Sequence, residues 1–172
     1  MPKPILILFA LVLCWHNASA VAPSLQQVNS LRSIFEGIIA GANYQHQHNF
    51  CRTIKNLGKD AVSCDIYQTF NTAGQPHSEL ATRIDLDYVD EDEQPIAPPQ
   101  ETKSINNYDT KIWREKIYAG PRNPQKLMTT FVVKISLHWK LTISCWEDHK
   151  CYAEQFIKQL NRQSLTKITG ER

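Results

Sequence analysis

His46 and His48 stand two residues apart, which puts both imidazoles on one face of an extended segment and suits copper, nickel or zinc. A metal centre needs a third or fourth ligand, and the other candidates, His77, His138 and His149, are scattered along the chain. The pair is therefore a weak candidate. Two solvent-facing histidines in a polar loop is the stronger reading, and no metal is expected. Asp85 and Asp87, followed by Asp90, Glu91, Asp92 and Glu93, offer oxygen ligands of the kind calcium takes. The turn glycine and closing glutamate of an EF-hand loop are missing, so a solvated acidic loop is preferred.

Motifs for catalysis are absent from the sequence. There is no G-x-S-x-G elbow, no helical H-E-x-x-H pair and no glycine-rich phosphate loop, so no cofactor is expected. A cysteine nucleophile needs a free thiolate beside a histidine. Beyond Cys14 the chain has four cysteines, Cys51, Cys64, Cys145 and Cys151, and no C-x-x-C pair, which argues against zinc. An even number in an exported chain reads as two disulfides, with three connectivities open. The local pairs Cys51–Cys64 and Cys145–Cys151 are favoured because each closes a short segment beside an expected strand. The chain thus leans away from an enzyme, and a hydrolase using His46, His48 or His138 is the last alternative.

The oxidising setting is inferred from the first twenty residues. Lys3 supplies a positive start, Ile5 to Leu13 form an apolar run, and Ala18-Ser19-Ala20 offers a small-x-small cleavage site. Residues 1–20 are expected to be a signal peptide, and 21–172 a single domain outside the cytoplasm, secreted or periplasmic. The apolar run is too short to span a bilayer, and no later segment comes close, so no integral membrane segment is expected after signal removal.

Charge is nearly balanced overall, at +2, but unevenly placed. Asp85 to Glu101 holds seven acidic residues and no basic one, whereas from Lys111 onward twelve Lys/Arg face five Asp/Glu. Such asymmetry can steer a charged partner. Lys134, His138, Lys140 and Trp146 share the even face of one expected strand. That basic patch is small, and with export it argues against nucleic acid. Of the tryptophans, Trp139 falls on an apolar face and is expected in the core. Trp113 and Trp146 are candidate binding anchors together with Asp90, Glu91, Asp92 and Glu93.

These groups must be positioned by a small set of elements. Ser24 is a plausible N-cap for a helix over 24–41, in which Leu25, Val28, Leu31, Phe35, Ile38, Ile39 and Ala42 recur at helical spacing. Residues 43–60 read as polar and irregular. Alternation predicts strands over 62–70 and 80–88, joined by a turn at 71–77, and a third at 111–119. Between them, about 90–108 reads as a long acidic, proline-containing loop. Phe131, Val133, Ile135, Leu137, Trp139, Leu141, Ile143 and Cys145 take every odd position, and no Gly, Pro, Asn or Asp interrupts them. One long bent strand is preferred there. A final helix is expected over 150–163, with a frayed tail after it.

The sum is an α+β fold: an N-terminal helix, an antiparallel sheet of four to five strands including one long bent strand, and a C-terminal helix. In architecture alone this resembles cystatin-like and NTF2-like folds, which host inhibitors, carriers and enzymes alike, so the resemblance does not choose among them. The functional expectation is an exported, disulfide-stabilised, non-catalytic protein-binding or inhibitor-like module, its partner another protein or extracytoplasmic macromolecule. The alternative is a carrier of a small apolar ligand between the sheet and the first helix, lined by Phe35, Ile39, Phe131 and Ile135. The sequence leaves the oligomeric state open.

Overall fold

The computed structural model describes residues 22–41, 49–56, 59–72, 74–89, 97–118 and 125–170. The fold is α+β, with a seven-stranded antiparallel sheet and three helices. Helix α1 is Leu25–Gly41. The strands are β1 (Asn49–Asn56), β2 (Lys59–Thr72), β3 (Gln75–Tyr88), β4 (Glu101–Ile105), β5 (Tyr108–Ile117), β6 (Lys126–Lys134) and β7 (Trp139–Trp146). Helices α2 (Ala153–Gln159) and α3 (Arg162–Thr169) follow. The strand order β1-β2-β3-β7-β6-β5-β4 joins two up-and-down units along the β3–β7 seam.

Helix α1 starts as the sequence suggests, and more firmly. The Ser24 hydroxyl accepts from the Gln27 backbone N–H (3.2 Å), while the Gln27 side chain accepts from the Ser24 N–H (2.9 Å). This reciprocal capping box satisfies two donors that a helix start otherwise leaves bare. Val28, Leu31, Phe35 and Ile39 bury one stripe, whereas Leu25 is exposed. The stripe meets apolar rows that cross the sheet in register. One row runs Val62, Leu86, Leu141, Val133, and the next Cys64, Ile84, Ile143, Phe131, Ile112. Phe156 of α2 closes the layer, edge-on to Phe35 with ring centroids 5.1 Å apart. Full burial of such side chains contributes about 1.5–3 kcal/mol each.

Four expectations are corrected. The strands number seven rather than four to five, because β1 and β4 fall in stretches whose mixed polarity gives no alternation. Both are edge strands, each paired on one side only. The loop expected over 90–108 therefore ends earlier, at β4. Second, the long bent strand is two strands, β6 and β7, folded back about Leu137. Paired residues there sum to an even number, as in Lys134 with Lys140, so odd positions stay on one face straight through the turn. The periodicity is blind to such a hairpin.

Third, the single helix over 150–163 is two helices, broken where Leu160 turns extended (ψ 124°). Asn161 then caps α3, its side chain accepting from the Ser164 N–H at 3.1 Å. Fourth, the tail is not frayed to Thr169. Leu165 is 1% exposed, and Gln27 of α1 donates to the Ile168 carbonyl at 3.1 Å. Gly170 (φ 73°) ends α3 in the left-handed conformation glycine adopts freely.

Candidate functional site

The helices all lie on the apolar face of the sheet. Among the described residues no helix or strand packs on the other face, where alternation places Arg52, Ser63, Asp65, Arg83, Asp85, Thr142, Ser144, Trp113 and Trp146. The register builds a compact cluster there. Asp65 sits opposite Phe50 on one side and Arg83 on the other, while Ser63 sits between Arg52 and Asp85.

Asp65 is 1% exposed, and its carboxylate is gripped by two guanidiniums. Arg83 donates through Nε at 2.8 Å and through Nη2 at 3.5 Å, and Arg52 Nη2 lies 3.4 Å away. Such bonds to a charged acceptor are about twice as strong as neutral ones. The bond to Asp65 raises Arg83 above its usual range against the opposing effect of burial. Burial likewise pushes the Asp85 carboxyl up, opposed by its hydrogen bond from Ser63 and by Arg83. Phe50 stacks on Tyr67 (6.1 Å, 19°), and Arg52 lies over the Phe50 ring at 5.5 Å. The sequence shows Ser63, Asp65, Arg83 and Asp85 only as the polar half of two alternating strands. Their assembly depends on register, with Thr82 of β3 opposite Ile66 but Leu80 opposite Tyr67 across a bulge.

The tryptophans proposed from sequence also fall on this face. Trp113 of β5 faces Thr130 of β6, and Trp146 of β7 faces Met128 of β6, so the two flank one strand diagonally. Both are half-buried. Trp113 Nε1 donates to the Ala97 carbonyl at 3.1 Å. Val89, at the other end of the acidic run, donates its N–H to the His138 carbonyl at 2.7 Å, and its own carbonyl lies 3.2 Å from His138 Nδ1. The described residues on both sides of the run are thus fixed to the sheet. Asp90, Glu91, Asp92 and Glu93 lie outside the described residues, as do His46, His48 and segment 1–20. Trp139 is 2% exposed, in the core.

The four cysteines form Cys51–Cys64 and Cys145–Cys151. The first joins residues directly opposite each other on β1 and β2; the second ties the end of β7 to the approach to α2. Among the described residues no group of three or more His, Cys, Asp or Glu is arranged to hold a metal ion. His77 and His149 instead flank Glu79, at 3.4 and 3.2 Å, beside the Lys126–Asp148 ion pair. Of the residues named for a ligand pocket, Phe35 is fully buried against Phe156, and Phe131 lines an open groove of about 510 Å³ with Cys151, Glu154, Gln155, Lys158 and Gln159.

Comparison with family models, with curated proteins and with solved structures found no match for this chain.

Proposed function

We propose that this chain is an exported, disulfide-stabilised, non-catalytic binding module that engages another extracytoplasmic macromolecule, a protein with a basic surface, through its acidic run and the tryptophans beside it. The observation that carries this reading is the hydrogen bond from Trp113 to Ala97. It fixes Ala97, four residues after Glu93, to the same sheet face that presents Trp146. Acidic groups attract and orient a basic partner, and half-buried aromatics supply apolar anchor area. Two disulfides are compatible with an oxidising compartment. No helix among the described residues is long and apolar enough to cross a membrane.

Two measurements test it. Intact mass of the protein recovered from its producing cells should begin at Val21 and show no free thiol on alkylation without reduction. An uncleaved or reduced chain would remove the compartment. Capture from the extracytoplasmic fraction, compared between the wild-type protein and a variant with alanine at Asp90, Glu91, Asp92 and Glu93, should lose a basic partner. Equal capture of that partner by both proteins would refute the role of the acidic run.

A further inference from the structure

We propose that Arg52 and Arg83, on the helix-free face of the sheet, form a binding site for a single carboxylate carried on an apolar or aromatic body. This site is distinct from the acidic run and does not depend on it. Two long, flexible cations are normally costly to hold in one place, since each loses rotamer freedom on binding. Here Asp65 meets that cost in the folded protein itself: nearly buried beneath them, it fixes Arg83 side-on through Nε and Nη2 and draws in Arg52 through Nη2. The side-on grip uses Arg83 Nε and Nη2 and leaves Nη1 outside the bond to Asp65. Both guanidiniums stay reachable, with side-chain exposures of 42% and 47%.

Charge sets the class of ligand. Two guanidinium charges against the Asp65 carboxylate leave an excess of one, which a monoanion matches and a dianion exceeds. Asp85, across Ser63, adds a further acidic group, so one is the most that excess can be. The donors that Asp65 leaves over on the two guanidiniums suit the two oxygens of one carboxylate. Beside it, Phe50 is 42% exposed, with Tyr67 stacked on its ring and Arg52 over it, so the exposed part of the ring adjoins the guanidinium. A carboxylate whose body rests on Phe50 uses both features together.

The test is an NMR titration of the disulfide-intact protein with benzoate, with acetate and with inorganic phosphate. Benzoate should bind saturably in the millimolar range and shift the Arg52 and Arg83 Nε–H signals and the Phe50 ring. Acetate, lacking the ring, should bind several-fold more weakly. Arg52→Gln leaves Arg83 holding Asp65, so the fold survives, and it should weaken benzoate at least tenfold; Arg52→Lys should restore only part of the loss. Unchanged benzoate affinity in Arg52→Gln would overturn the proposal. So would phosphate binding as tightly as benzoate, or benzoate shifts confined to other residues.

Discussion

At the scale of single residues, the informative asymmetry is between Asp65 and the arginines that hold it. Removing the carboxylate leaves two half-exposed guanidiniums that water can solvate; removing Arg83 leaves a buried carboxylate with only Arg52 nearby. Stranding a buried charge is the costlier error. Arg83→Met should therefore cost about 3 kcal/mol and Asp65→Asn about 1–2 kcal/mol, read from urea unfolding midpoints at constant slope. An equal or reversed order would contradict this picture of the cluster. Asp85 gives a pH signature of definite sign. Its carboxyl is raised in the folded state above its ordinary value of 3.8, so the folded protein holds that proton more tightly than the unfolded chain. The associated stability is present below that value and lost as pH rises through the raised one. Asp85→Asn should thus be more stable than wild type at about pH 7, and the gap should close at about pH 4, as followed by thermal unfolding. A gap that widens in acid would reverse the assignment.

At the scale of elements, legibility followed the strength of the pattern. Helix α1 and the cores of β2, β3 and β5 could be read directly, because each has one buried face and an opposite polar one. The edge strands β1 and β4 could not, since Asn49–Asn56 and Glu101–Ile105 carry few apolar residues on either face. The β4–β5 turn hid in plain view. Asn106 and Asn107 both take positive φ, 51° and 62°, as a two-residue turn of the mirror-image kind requires. Asn106 also acts through its side chain, which donates to the Leu160 carbonyl at 2.9 Å and so fixes the end of α2. The backbone and side-chain contributions can be separated. Asn106→Gly keeps the backbone geometry and should lose about 1 kcal/mol for the missing bond. Asn106→Ala should lose about 1 kcal/mol more, because a β-carbon strains the left-handed conformation. Equal losses would mean that the turn geometry carries no cost. Asn161 and Gly170 are the signals by which α3 could have been read, as an N-cap and a left-handed stop, in a tail that composition alone made look frayed. Of the candidate site, Trp113 and Trp146 were visible as residues, but their shared face was not, because it follows from a hairpin that the alternation conceals.

At the scale of the molecule, the two disulfides are local staples. Loop-closure entropy assigns about 3 kcal/mol to Cys51–Cys64, thirteen residues apart, and about 2 kcal/mol to Cys145–Cys151, six apart. Removing the first by a paired cysteine-to-alanine substitution should lower the unfolding midpoint more than removing the second; the opposite ranking would show that native packing, rather than chain closure, governs them. Neither bridge, however, crosses the β3–β7 seam. Among the described residues, α1 and β1 to β3 form one half and β4 to α3 the other, and no disulfide joins the two. The halves meet through seven residue pairs, from Thr82 with Cys145 to Tyr88 with Trp139, through Val89 with His138 and Glu79 with His149, and through contacts of α1 with α2 and α3, among others. A protease cutting once between Val89 and Ala97 would accordingly leave a two-chain protein that migrates intact under native conditions. In detergent it would fall into two fragments even with every disulfide in place.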